Sequence, residues 1–160
     1  MQIRSAAERD HAAIVRIILP TIRAGETYAL DRDLSASDAL TYWTSADRKT
    51  YVAEQDGAVL GTYYLRANQA GGGAHVANCG FMTDAAAADR GIARAMGTHA
   101  LEQARAQGFT AMQFNFVVST NVRAVRLWES LGFAAVGRLP GAFRHPGLGS
   151  VDALVMFQTL

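Results

Sequence analysis

Apolar residues recur along this chain with two periods, and each change of period marks an element boundary. Residues 2–6 read as a short first strand. His11, Ile14, Val15 and Ile18 then fall at helical spacing, and Pro20 is expected to close that helix. Residues 20–34 mix their signals and read as a loop with a helical turn. Ser35 suits the N-cap of a short helix through Asp38, Leu40, Tyr42 and Trp43. Thr50–Glu54 and Val59–Arg66 alternate as strands, joined by the turn Gln55-Asp56-Gly57, a strong hairpin signal. After Gly71-Gly72-Gly73, residues 74–82 complete the meander.

The period then lengthens again. Ile92, Ala93, Met96, Gly97, Ala100, Leu101 and Ala104 form one stripe of a long helix that stops at Gly108. Ala111–Val118 returns to alternation, with Met112, Phe114 and Phe116 expected on one face and Gln113, Asn115 and Val117 on the other. A second helix over Asn121–Leu131 buries Ala124, Val125, Trp128 and Leu131 and ends at Gly132. Two closing strands, about 133–139 and 150–158, flank the loop PGAFRHPGLG. The order β-α-α-β-β-β-α-β-α-β-β predicts an α/β (α+β) fold. Its centre is a mixed, mostly antiparallel sheet of about seven strands with helices on both faces.

Composition narrows the class. Half of the residues are hydrophobic and the formal charge is +1, so no basic stripe argues for a nucleic-acid partner. The 160 residues suit a single domain spanning 1–160. Cys79 is the only cysteine, which excludes an internal disulfide and fits a reducing, cytoplasmic setting. The beginning MQIRSAAERDHAA is unlike a signal peptide, and Ile14–Leu19, interrupted by Arg16, is too short to span a bilayer.

The most informative segment runs from Asn78 through the turn at Gly91 into the long helix. A helix start offers unpaired N–H groups and the positive end of the macrodipole. Arg90 and Arg94 can add charge-assisted contacts, so a phosphate-bearing cofactor is expected. The string Ala88-Asp89-Arg90-Gly91-Ile92-Ala93 resembles the acetyl-CoA pyrophosphate loop of GNAT-type N-acetyltransferases, written Arg/Gln-x-x-Gly-x-Gly/Ala. The segment from Asn121 to Phe133 is similar to that family's N-x-x-A-x-x-x-Tyr-x-x-x-G-F signature. Together with the element order, the resemblance covers essentially the whole chain. It implies that acetyl-CoA is held by Ala88, Asp89, Arg90, Gly91, Ile92, Ala93 and Arg94. It also implies that Phe81, Met82 and Thr83 pair with the pantetheine arm through backbone groups, and that Asn121 bonds to the same arm. Ala88 departs from the family pattern and removes one side-chain contact.

A second departure concerns the chemistry. The family's tyrosine, which protonates the leaving thiolate in many members, is Trp128 here, and an indole donates a hydrogen bond but is no acid. The resemblance places Asn78 and Asn115 on the two strands that part around the acetyl arm. Amides there could hold the amine and hydrogen-bond the tetrahedral oxyanion, and losing such a donor costs on the order of 3 kcal/mol. Asn78, Asn115, the string FNFVVSTN and the tryptophan resemble the branch of fungal acetyltransferases that act on proline analogues such as azetidine-2-carboxylate. A satisfied structural amide is the competing reading for both asparagines.

The resemblance implies that Glu26, Thr27 and Tyr28 lie where that fold usually walls the acceptor site, and a similar segment occurs in phosphinothricin-type acetyltransferases. Glu26, Tyr28 and Arg144 are the candidate substrate contacts, with His145 beside Arg144. His75 has the parity opposite to Asn78 and reads as structural. The histidines and Cys79 show no metal-ligand spacing, so no metal is expected. The expected activity is N-acetyl transfer from acetyl-CoA to a small-molecule amine, an amino acid or analogue, by direct attack in a ternary complex. A protein or peptide acceptor and a non-catalytic acetyl-CoA sensor are the alternatives. The resemblance suggests a homodimer, and composition and hydropathy lead us to expect no membrane and no nucleic-acid partner.

Overall fold

The computed structural model describes residues 1–160. Seven strands, β1 (Gln2–Ser5), β2 (Lys49–Gln55), β3 (Ala58–Ala67), β4 (Val76–Thr83), β5 (Ala111–Val118), β6 (Ala134–His145) and β7 (Gly149–Thr159), form one sheet in the order β1-β2-β3-β4-β5-β7-β6. All neighbours run antiparallel except β4 and β5. Helices α1 (His11–Ala24) and α2 (Ala36–Trp43) cover one face, and α3 (Ile92–Ala106) and α4 (Val122–Ser130) the other.

Strand alternation sorts the core into these two layers. Tyr64, Val52 and Met82 join Ile14, Ile18, Ile22 and Trp43 on the α1/α2 side. Tyr63, Leu65 and Cys79 join Met96, Ala100 and Trp128 on the other. The buried side chains of Thr62 and Asp10 are both paired, as burial favours. The Trp43 indole donates to Thr62 Oγ1 at 3.0 Å, and that hydroxyl donates to Tyr51 O at 2.9 Å. Arg4 bridges Asp10 and Glu54 through contacts of 2.6–2.9 Å, tying β1 to the start of α1 and to β2.

Three local expectations need correcting. Pro20 does not end α1; the helix continues to Ala24 and stops at Gly25, whose φ of 65° is left-handed. Pro20 is exposed, so the Arg16 carbonyl that it cannot hydrogen-bond faces water. The segment PGAFRHPGLG is mostly strand, since β6 runs to His145. A register shift between Leu139 and Phe143 on this edge strand absorbs Pro140 and Gly141.

The third correction positions the site. The pairing Phe114–Met156 is followed by Val117–Leu154, so Asn115 and Phe116 together oppose one residue of β7. Such a bulge reverses the facing of every later residue. Val117 therefore joins Phe114 in the core, while the Phe116 ring turns to Phe143.

Candidate active site

Strands β4 and β5 pair only through Val76–Ala111 and Ala77–Met112, and then they part. Asn78 sits where the ladder ends. Its Nδ2 donates to the Gln113 carbonyl at 2.9 Å, satisfying a backbone group that the parting strands leave unpaired. No protein group donates to its Oδ1. Gln113 Nε2 in turn donates to Asn115 Oδ1 at 2.8 Å, and Asn115 Nδ2 donates to Asn68 Oδ1 at 2.6 Å. An amide has two N–H donors, so Asn115 keeps one beyond that contact. Asn78 is buried and Asn115 exposed, and one amide network connects them.

Two cavities flank the opening. The smaller, about 230 Å³, is walled by Thr27, Tyr28, Tyr42, Tyr64 and Arg66 from the α1/α2 side, and by Asn78, Cys79, Asn115 and Phe116 from the parted strands. The larger, about 530 Å³, runs from Phe81, Met82 and Thr83 to the start of α3. Phe81, Asn121, Ala124 and Trp128 belong to both. The Trp128 ring lies 4.9 Å from those of Phe81 and Phe114, so the joint between the cavities is aromatic. Gly80 lets the wall close up: a Cβ there would come within 2.6 Å of the Tyr64 ring.

Around the larger cavity, Gly91 takes φ 75° at the N-cap of α3 and provides no side-chain cap. The first helical bond runs from Ala95 N to Gly91 O, so the N–H groups of Ile92, Ala93 and Arg94 have no partner within the helix. Ala88, Asp89, Gly91, Ile92, Ala93 and Arg94 all line this cavity, whereas Arg90 is exposed outside it. Arg94 donates to Ser130 Oγ at 2.9 Å. Asp89 pairs with Arg123, which also lines the cavity. Free N–H groups, the helix dipole and an excess of arginine over aspartate suit the phosphates of coenzyme A. Asn121 accepts from Ala124 N at 3.4 Å to cap α4, and its amide N–H groups remain uncommitted.

Tyr28 closes the smaller cavity from the α1–α2 connection. Its hydroxyl accepts from Phe81 N–H at 2.7 Å and donates to Phe81 O at 2.9 Å. Burial, with Tyr64 nearby, pushes its pKa well up. Burial does the same to the Cys79 thiol. Both groups therefore stay protonated at neutral pH. Burial likewise raises Tyr64, and no carboxylate or imidazole lines this cavity.

Two expected substrate contacts stand apart. Glu26 is exposed just beyond Gly25, and Arg144 is exposed where β6 pairs with Ser150; neither lines a cavity. The reason for Arg144 is the extended hairpin, which commits it to the sheet edge. His145 Nδ1 accepts from Gly147 N at 3.0 Å and shapes the turn. The residues that sequence reading missed are Arg66, Tyr42, Tyr64 and Arg123. Arg66 pairs with Asn78 across β3 and β4, a relation visible only once the register is known. Arg123 lies two residues into the second motif and was open to detection.

Comparison with known proteins identifies the family and the fold. The sequence profile of the acetyltransferase (GNAT) family matches residues 16–133. N-acetyltransferase aca1 of Schizosaccharomyces pombe is 28% identical, with 84% of this chain and 72% of that protein covered. The structure of a GCN5-related N-acetyltransferase from Kribbella flavida is 42% identical and superposes with a TM-score of 0.94 over 99% of this chain and 97% of that one. A GNAT superfamily phosphinothricin acetyltransferase (Pat) from Sinorhizobium meliloti, solved in complex with acetyl-CoA, shares the fold at 20% identity. Its TM-score is 0.87, covering 99% of this chain and 88% of that one.

Proposed function

This chain belongs to the acetyltransferase (GNAT) family, and from that premise we propose that its acceptor is the amine of a small molecule, an amino acid or amino-acid analogue. It is an acetyl-CoA-dependent N-acetyltransferase. The observation that carries the acceptor reading is the pair of cavities sharing Phe81, Asn121, Ala124 and Trp128. One is lined with phosphate-binding groups. The other, at about 230 Å³, suits a molecule of only a few heavy atoms.

Each residue then has a task. The α3 N-terminus, Arg94 and Arg123 hold the phosphates, and Asn121 donates to the pantetheine arm. Asn78, anchored through Nδ2, offers Oδ1 to an N–H of the acceptor amine. Asn115 offers its spare N–H to the oxygen on which charge develops. The amine nitrogen adds to the acetyl carbon, the carbonyl oxygen takes the charge, and the C–S bond breaks as the oxyanion collapses. The amine proton passes to solvent water, and water returns a proton to the departing thiolate. The protonated Cys79 is a poor nucleophile, which favours direct attack over an acyl-cysteine route.

The test is release of free coenzyme A from acetyl-CoA across a panel of amines that includes cyclic imino acids. Turnover with small amines and none with peptides is the expected result. Tight acetyl-CoA binding without turnover of any amine refutes it.

A further inference from the structure

We propose that Arg66, backed by Arg48, binds a carboxylate of the acceptor, so that the cavity selects anionic α-amino acids over amines that lack an acid. This rests on the small-molecule reading above. Arg66 lies opposite Asn78 in the β3–β4 ladder. Side chains so paired stand about 5 Å apart, a separation that suits the two ends of an α-amino acid. An amine at Asn78 Oδ1 puts the carboxylate against Arg66.

The charge at this wall is unbalanced. Lys49 pairs with Leu65, and Arg48 and Arg66 each lie one residue beyond, so two guanidinium groups come together. They share one carboxylate, Asp47, at 3.5 Å from Arg48 Nε and 3.4 Å from Arg66 Nη1. Asp47 is itself largely exposed and also accepts from Ser45, so one positive charge remains in excess.

The donors are also unsatisfied. The Arg48 side chain is only 7% exposed, and its guanidinium lies 4.0 Å from the Tyr42 ring centroid and 4.4 Å from that of Tyr64. Its Nε and Nη1, and Nε of Arg66, are buried without a hydrogen-bond partner. Buried polar groups are nearly always paired, so three such atoms in one cluster point to an acceptor group supplied from outside. Tyr42, Tyr64 and Arg66 all line the cavity. Its remaining walls are mostly apolar and include no carboxylate, so the field of the two arginines is weakly screened there and repels cationic acceptors.

The experiment compares an amino-acid acceptor with its primary amide, using wild type, Arg66→Gln and Arg66→Lys. For wild type, kcat/KM should favour the acid at least tenfold. In Arg66→Gln the KM for the acid should rise about a hundredfold, at least ten times more than the KM for the amide, with acetyl-CoA binding unchanged, and Arg66→Lys should recover part of the loss. Equal use of acid and amide by wild type, or a preference that survives Arg66→Gln, overturns the proposal. Calorimetric titration of both compounds into the coenzyme A-loaded protein separates the two levels. Arg66-dependent binding of the acid without turnover supports the carboxylate site and refutes the amino-acid acceptor reading; turnover of acid and amide alike does the reverse.

Discussion

The Tyr28 hydroxyl and the Phe81 backbone form a two-way contact: Phe81 N–H donates to Tyr28 Oη at 2.7 Å, and the hydroxyl donates back to Phe81 O at 2.9 Å. A side chain from the α1–α2 connection thus pairs with β4 as a neighbouring strand would. It does so on the edge where the pantetheine arm is expected.

Tyr28→Phe removes both hydrogen bonds. The thermal midpoint should fall, since stranding buried backbone groups costs roughly 1–3 kcal/mol. With its competitor gone, the Phe81 edge should bind acetyl-CoA more tightly by calorimetry. Weaker binding would show instead that the hydroxyl supports the arm.

Asn115→Ala removes the donor assigned to the developing oxyanion. Turnover should drop about a hundredfold or more, with acetyl-CoA binding nearly intact. Because Gln113 and Asn68 hold this amide from either side, Asn68→Ala should produce a smaller loss of the same kind. An unchanged rate in Asn115→Ala refutes the role.

Gly91→Ala tests the phosphate loop. A Cβ there would touch nothing within 4 Å, so the cost comes from the backbone φ of 75° alone. That conformation should cost about 1 kcal/mol, and the acetyl-CoA Kd should rise as the N–H groups of Ile92 and Ala93 shift. Calorimetry with acetyl-CoA and a denaturant melt check the two effects separately.

The pH dependence has two parts. Tyr28 and Cys79 are pushed up and stay protonated, and no carboxylate or imidazole lines the smaller cavity. The rise of kcat/KM with pH should therefore follow the pKa of the acceptor amine and move when the acceptor is changed. A fixed inflection for all acceptors would reveal an enzyme base.

Stability follows a different group. The Arg4 hydrogen bonds hold the Asp10 carboxyl down at about 2. A depressed carboxyl stabilises the fold above its unfolded pKa of about 4, and the gain is lost as pH falls through the folded value. Ionised Asp10 should contribute roughly 2 kcal/mol near neutral pH by this linkage. Denaturant melts of wild type and Asp10→Asn should differ fully at pH 6 and converge as the pH approaches about 2.

Period and punctuation in the chain determined most of the architecture. The helical stripe from Ile92 to Ala104, the Asp56-Gly57 hairpin and the Asn121 cap are local features, encoded within a turn or two of chain, and Gly91 marked the turn into α3 for the same reason. The tertiary structure decided what depends on register. The bulge at Asn115–Phe116 reversed an alternation that looked continuous, because an extra residue in one strand is defined only against its partner. The hairpin carried Arg144 away from the cavity, and the β3–β4 ladder brought Arg66 beside Asn78. Cross-strand neighbours are set by which backbone groups pair, and no spacing within a single strand records that choice.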